Sequence, residues 1–175
     1  ESGQLFRIKA EQVIVATPAP VAAGLLRPLA PSAADQLDAI KLAPIAVVAL
    51  GYQEEAITHS LDGFGALCCS DSELPKGRPI LGVLFSSSIF SGRSPQGRVL
   101  LEVMIGGTRH PEAVLSADEE LVQRARDAVR GMLGELAPPE FERVTRWSGI
   151  LPQYERGHSL RVRSVEDDIS ELGGL

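Results

Sequence analysis

Four stretches in the middle of the chain have the apolar, β-branched pattern of β-strands. They span residues 45–52, 63–69, 80–85 and 99–105. The connections between them are loops, because residues 70–79 and 86–97 are rich in Ser, Gly, Pro and charged side chains. Since no helix separates consecutive strands, the pattern predicts an antiparallel sheet.

The first forty residues combine short extended and helical segments. Residues 5–9 alternate apolar and polar side chains, and residues 13–16 are continuously apolar, so both are predicted as strands, the second buried on both faces. Pro20 suits the first turn of a helix, where its missing N–H costs nothing. A second helix is predicted to start near Ser32.

After the strands the apolar spacing becomes helical. Ser116 and Glu119 have the spacing of a capping box, and Gly134 marks the end of the helix. Residues 141–147 alternate again as a strand. The apolar face of the first helix is Leu121, Val122, Ala125, Val129, Met132 and Leu133, and that of a last helix is Val162, Val165, Ile169 and Leu172. This layout predicts an α+β fold with an antiparallel or mixed sheet and flanking helices.

Composition narrows the classes of function. The chain has 175 residues, enough for one domain with a sizeable core, and its 44% hydrophobic and 23% charged residues are typical of globular proteins. A net charge of -6 with scattered Lys and Arg argues against nucleic-acid binding. The apolar stretch 42–50 is too short to cross a bilayer, and no signal-peptide pattern opens the chain. Both ends suggest a piece cut from a longer protein.

The residues alone predict no catalytic machinery. His59, His110 and His158 lie far apart without other ligands at metal-binding spacing, so no metal site is predicted. Cys68 and Cys69 are interpreted as ordinary thiols in a reducing compartment, with a redox pair as the alternative. The sequence contains neither a G-x-S-x-G elbow nor a G-x-G-x-x-G phosphate cradle.

Four phrases nevertheless resemble one family in the family's own order. The first two are the strand-and-turn at residues 13–19 and the Gly-Phe-Gly strand at residues 61–67. The third runs from residues 80–88 through Phe90, Arg93 and Pro95 to residues 103–107, and the fourth is Trp147 followed by residues 152–158. Together they resemble the protoporphyrinogen oxidases, part of the flavin amine oxidase superfamily.

The resemblance implies an organisation and an activity. Residues 1–40 would return to an FAD-binding domain, residues 41–147 would form the substrate-binding sheet and helix, and residues 148–175 would lead back toward the FAD-binding domain. The parent enzyme would use FAD and oxygen to oxidise protoporphyrinogen IX or coproporphyrinogen III to the porphyrin in haem or chlorophyll synthesis. Its localisation would be cytoplasmic. The resemblance does not decide whether segments absent from this chain attach the parent enzyme to a membrane. The isolated chain would be inactive without the missing FAD-binding half.

Five residues are carried over from the family to positions of this sequence. Phe64, Leu67, Leu84 and Met104 would form walls of the tetrapyrrole pocket, since a flat apolar ring needs aromatic and aliphatic surfaces. Trp147 would pack near the flavin. No catalytic residue is assigned to the chain.

One departure and three alternatives accompany this interpretation. Cys69 stands where the family has proline, which leaves the shape of the pocket rim open. The alternatives are another member of the superfamily, such as an amine oxidase or a carotenoid desaturase, a stand-alone tetrapyrrole-binding module without catalysis, and a structural domain with neither ligand.

Overall fold

The computed structural model describes residues 7–68 and 79–173. The strands are β1 (Leu42–Gln53), β2 (Gly65–Leu67), β3 (Ile80–Leu84), β4 (Arg98–Gly106) and β5 (Phe141–Pro152). The α-helices are α1 (Ala19–Leu26), α2 (Pro31–Asp38), α3 (Ser86–Ile89), α4 (Asp118–Leu133) and α5 (His158–Ser170). Short 3₁₀ helices occupy Glu54–Ala56 and Pro111–Leu115. The chain divides into two compact units, Ala43–Leu151 and the described residues on either side of it.

The larger unit is built on a five-stranded sheet in the order β2-β3-β4-β1-β5. β1 pairs antiparallel with β4 from Ile45↔Gly106 to Gln53↔Arg98, and β3 pairs antiparallel with both β2 and β4. A register shift in β3 between Ile80 and Gly82 inserts one extra residue opposite β4. The predicted α+β class, with an antiparallel sheet and flanking helices, is confirmed.

One face of this sheet packs against α4 and forms the core. Alternation places every second side chain of a strand on that face. The core residues of β1 and β4 are Ala46, Val48, Leu50, Tyr52, Val99, Leu101, Val103 and Ile105. They meet Leu121, Ala125, Ala128 and Val129, which the helical spacing places on one side of α4. Gly134, with φ of 87°, ends α4 as the sequence predicts.

The start of α4 differs from the predicted capping box. The helix begins at Asp118, and its N-cap is Ala117. Ser116 lies one position before the N-cap, so Ser116 and Glu119 do not occupy the two positions that a capping box requires. Ser116 instead hydrogen-bonds the Glu120 side chain, and this bond, with Arg124, lowers the pKa of Glu120. Three acidic residues in the first turn also match the positive end of the helix dipole.

Arg146 of β5 fixes the segment that leads into α4. Its Nε donates to the carbonyl oxygen of Val114 at 2.8 Å, and its Nη2 donates to that of Ser116 at 2.6 Å. Its Nη1 lies 2.5 Å from an Asp118 carboxylate oxygen. One guanidinium therefore holds two backbone carbonyls and the first residue of the helix.

The smaller unit contains α1, α2 and α5. Pro20 lies in the first turn of α1 as predicted, and α2 packs against both α1 and α5. α5 contains three of the four predicted face residues, but Leu172 lies beyond its end. None of the helices in the described part of the chain is long and apolar enough to cross a membrane.

The predicted strand at residues 13–16 is wrong in this chain. Residues 13–16 form no strand, and Ile14 is 92% exposed. A strand exists only when a neighbour completes its hydrogen-bond ladder, and none of the described residues pairs with this segment. Residues 7–9 are likewise not a strand, while residues 5 and 6 lie outside the described residues.

Candidate functional site

The sheet has a second surface, opposite the core, which we call the open face. Side chains that are paired across neighbouring strands lie on the same side of a sheet. One row on this face is Leu67, Gly82, Met104 and Val47, and the next is Gly65, Leu84, Glu102 and Ala49. These residues alternate with the core positions of the same strands, so they point away from α4.

Three of the predicted substrate residues come together on the open face. Leu67, Leu84 and Met104 belong to three adjacent strands, β2, β3 and β4. Leu67 is 74% exposed, whereas Leu84 and Met104 are partly buried. The sequence placed each of them in a strand, and the register shows that they share one surface.

The fourth predicted substrate residue, Phe64, lies directly before β2. Its side chain is 77% exposed, and its carbonyl oxygen accepts a hydrogen bond of 2.9 Å from the backbone N–H of Phe85. The backbone of Phe64 is therefore tied to the end of β3.

The loop before Phe64 has an unusual conformation. Leu61 adopts a positive φ of 49°, which is uncommon for a residue with a branched side chain. Its N–H donates to Nδ1 of His59 at 2.9 Å, and the His59 ring lies 5.8 Å from the Phe85 ring. The histidine thus supports the local backbone, a role that the sequence did not indicate.

Trp147 reaches the open face by the alternation of β5. Phe141, Arg143 and Thr145 line a groove together with residues of the open face on β1. Glu142 points the other way, with its carboxylate 2.5 Å from Arg126 of α4. Trp147 continues the series of Phe141, and it is 46% exposed.

Two glycines let β2 lie close against β3. A Cβ on Gly82 would lie 2.6 Å from the Ala66 carbonyl oxygen and 3.1 Å from a methyl carbon of Leu67. A Cβ on Gly65, whose φ is +130°, would lie 1.9 Å from the Val83 carbonyl oxygen. Leu67 can therefore lie across β3 only because residue 82 has no side chain.

A groove of about 570 Å³ continues the open face toward β5. Its floor is apolar and includes Val47, Ala49, Gly51, Val99, Leu100 and Phe141. Its polar lining residues are Arg93, Ser94, Arg98, Glu102, Glu140, Arg143 and Thr145. The groove therefore offers an apolar floor with charged side chains at its rim.

Two of the groove arginines already have partners. Arg98 Nε lies 2.6 Å from Glu140, and a hydrogen bond from the Gln53 amide, with the Arg98 charge, lowers the pKa of Glu140. The guanidinium of Arg93 lies over the Phe90 ring, 5.3 Å from its centre.

The predicted loop at residues 86–97 begins with a short helix, α3, which contains the serine turn, whereas residues 90–97 form turns and loop as predicted. Ser86 is only 2% exposed and its hydroxyl donates to the Glu102 carboxylate. The Ser87 hydroxyl accepts a 3.0 Å hydrogen bond from the backbone N–H of Leu100. These two bonds join the end of β3 to β4, which explains why small hydroxyl side chains occur here.

Glu102 is a site residue that the sequence pattern did not single out. It interrupts an otherwise apolar strand, and that interruption was the available signal. The predicted irregularity at Cys69 lies outside the described residues, and Cys68 is partly buried. Among the described residues, no group of His, Cys, Asp or Glu is arranged to hold a metal ion.

Comparison with known proteins identifies the family. The sequence profile described as flavin containing amine oxidoreductase matches residues 1–163. The chain belongs to this family. The match includes all of the larger unit, the smaller unit as far as residue 163, and all five predicted site residues.

Curated relatives carry names within the same family. The chain is 35% identical over 177 residues to protoporphyrinogen oxidase 1, chloroplastic, of Arabidopsis thaliana, covering 97% of the chain and 32% of the relative. It is 34% identical over 164 residues to coproporphyrinogen III oxidase of Propionibacterium freudenreichii subsp. freudenreichii, covering 94% of the chain and 30% of the relative. The chain thus spans about a third of the length of these relatives.

Solved structures share the fold. A crystal structure assigned as a candidate protoporphyrinogen oxidase, from Exiguobacterium sp. 255-15, superposes with a TM-score of 0.62 at 20% identity and covers 89% of the chain and 33% of that protein. Reduced UDP-galactopyranose mutase gives a TM-score of 0.56 at 11% identity, with coverage of 79% and 28%. At these identities the likeness concerns the fold.

The family implies a flavin cofactor, and one side chain of this chain suits the ring system of that cofactor. The half-exposed indole of Trp147 offers an aromatic surface to a flat ring system. The sequence offers no Gly-rich turn between a strand and a helix for a pyrophosphate. Trp147 is therefore the side chain of the predicted site whose chemistry fits a flavin ring.

Proposed function

We propose that this chain is the substrate-side part of an FAD-dependent oxidase that converts a porphyrinogen to a porphyrin with oxygen as acceptor. The observation that carries the proposal is the open face, where Leu67, Leu84 and Met104 form one apolar surface in a member of the flavin-containing amine oxidoreductase family. The names of the relatives, protoporphyrinogen and coproporphyrinogen III oxidases, support this substrate class. The product would enter haem or chlorophyll synthesis.

The open face suits one side of a tetrapyrrole. A macrocycle is broad and apolar, so it gains most by covering exposed aliphatic and aromatic carbon. Leu67 is mostly exposed in the chain and would be covered by the ring. Met104 has a flexible thioether that adapts to an irregular surface, and Phe64 would stack from the β2 side.

The flavin would lie against the same unit at Trp147. When bound, FAD supplies the acceptor for a hydride from the substrate. The chain's own residues would orient the macrocycle and exclude water from its reacting carbon. We assign residues 41–147 to the substrate-binding domain, and residues 1–40 and 148–175 to the FAD-binding domain of a longer parent protein.

The test compares two polypeptides. One is the polypeptide encoded by the complete reading frame around this chain, and the other is the 175-residue chain alone. Each would be purified and supplied with FAD. Formation of fluorescent porphyrin would be followed with protoporphyrinogen IX and with coproporphyrinogen III, and hydrogen peroxide formation with benzylamine.

We expect the complete polypeptide to form porphyrin and the isolated chain to form none above the rate without protein. Oxidation of the amine without any porphyrinogen turnover would instead identify an amine oxidase. Turnover of a porphyrinogen by the isolated chain would refute the assignment of the flavin site to a longer parent.

A further inference from the structure

A carboxylate lies in the middle of the apolar open face. Glu102 is paired with Leu84 on β3 and with Ala49 on β1, and it stands two positions before Met104 on β4. The same side chain lines the groove that leads toward β5. Any ligand that covers Leu84 and Met104 therefore also contacts Glu102.

The surrounding residues occupy only some of the hydrogen-bond acceptor positions of this carboxylate. Glu102 is partly buried, and the hydroxyl of the buried Ser86 donates to its Oε2. A carboxylate has about four acceptor positions, so one hydroxyl leaves most of them open. A carboxylate beside apolar walls is costly unless further donors reach it.

The neighbouring cations do not supply those donors. Arg98 is paired with Glu140, and Arg93 lies over Phe90. Arg143 also lines the groove, but within the described part of the chain no Lys, Arg or His forms an ion pair with Glu102. The unused acceptor positions of Glu102 thus match a ligand that brings N–H or O–H donors into an apolar site.

We propose that Glu102 recognises the substrate by accepting hydrogen bonds from its pyrrole N–H groups. This inference rests on the proposed function and adds a residue that selects the oxidation state of the tetrapyrrole. In a porphyrinogen the pyrroles are joined by tetrahedral carbons, so the rings can tilt and direct their N–H groups to one face. The carboxylate of Glu102, held by Ser86, faces that donor cluster.

Oxidation removes this interaction. A porphyrin is planar and conjugated, and its remaining N–H groups point into the centre of the ring, where a carboxylate above the plane cannot align with them. Glu102 therefore favours the reduced substrate over the oxidised product. The preference would promote product release from the same apolar surface.

The test uses the complete polypeptide and two matched variants. Glu102→Gln keeps the shape of the side chain and an acceptor for Ser86 but removes the charge. Glu142→Gln makes the same chemical change on the opposite face of the sheet, where Glu142 contacts Arg126. For each protein, KM for coproporphyrinogen III and the inhibition constant for coproporphyrin III would be measured.

We expect Glu102→Gln to raise KM for the porphyrinogen about tenfold, the effect of losing hydrogen bonds to a charged group. The inhibition constant of the planar porphyrin should change less than about twofold, since that ligand does not use the carboxylate. Glu142→Gln should leave both constants unchanged. Equal changes in the two constants of Glu102→Gln, or no change in either, would overturn the proposal.

A further variant at residue 102 separates loss of the charge from misfolding. Glu102→Asp keeps the charge but withdraws it by one methylene, so its preference for the porphyrinogen should fall between those of the unaltered protein and Glu102→Gln. A preference in Glu102→Asp no greater than in Glu102→Gln would contradict the role of the charge. If the unaltered polypeptide turns over no porphyrinogen at all, the proposed function has failed, and not this assignment alone.

Discussion

Two leucine-to-alanine variants separate the open face from the core. Leu67 on β2 is 74% exposed, and Leu101 on β4 is fully buried in the core beneath the sheet. Burying a leucine side chain completely contributes roughly 1.5–3 kcal/mol. Since about a quarter of Leu67 is buried, Leu67→Ala should lower the free energy of unfolding by only about 0.5 kcal/mol.

Leu101→Ala should behave very differently. It removes a fully buried side chain and leaves a cavity in the core cluster, so the expected loss is roughly 3–5 kcal/mol. Urea unfolding of the 175-residue chain, followed by circular dichroism, measures both losses as shifts of the midpoint at constant slope.

The functional effects should be reversed. If a tetrapyrrole covers the exposed three quarters of Leu67, Leu67→Ala loses about 1–2 kcal/mol of binding, or roughly a 5- to 30-fold rise in KM of the complete polypeptide. A Leu67→Ala variant that is destabilised as much as Leu101→Ala would show that residue 67 is packed. The assignment of the open face would then be wrong.

Three further predictions concern single residues. Gly65→Ala should destabilise the chain by more than about 2 kcal/mol in the same urea experiment, because the new Cβ meets the Val83 carbonyl oxygen in a backbone conformation suited to glycine. The control Gly24→Ala should not destabilise the chain, because Gly24 lies on a helix with open space around the new Cβ. Arg146→Ala should lose about 1–3 kcal/mol and speed hydrogen exchange in the first turn of α4; unchanged exchange there would contradict the anchoring role. Burial raises the pKa of Tyr52, so the unfolded chain releases this proton first and stability should fall as pH rises above about 10; Tyr52→Phe should remove that part of the fall, and an identical pH profile would refute it.

The sequence predicted the positions of the strands and helices better than it predicted which strands pair with each other. β1, β3, β4 and α4 follow from apolar spacing and from turn residues at their ends, because these local signals agree with the final fold. Residues 13–16 have an equally strong strand pattern and form none, because a strand depends on a neighbour that local sequence does not contain.

The sides of the sheet could not be assigned in advance. Residues 99–105 are apolar at nearly every position, so alternation alone does not say whether Leu101 or Met104 faces the core. The packing of α4 decides this. The role of Glu102 was hidden for the same reason, since its neighbours across the sheet, Leu84 and Ala49, are known only from the register.

The most direct measurement uses the two methionines of the chain. Met104 lies on the open face, and Met132 lies on α4 and packs against the core cluster. With carbon-13 labels on the methionine methyl groups, the 175-residue chain would be titrated with coproporphyrin III and followed by nuclear magnetic resonance. We predict a large ring-current shift of the Met104 methyl signal and an unchanged Met132 signal. A shift of Met132 alone, or saturating binding that moves neither signal, would contradict the claim that the open face receives the tetrapyrrole.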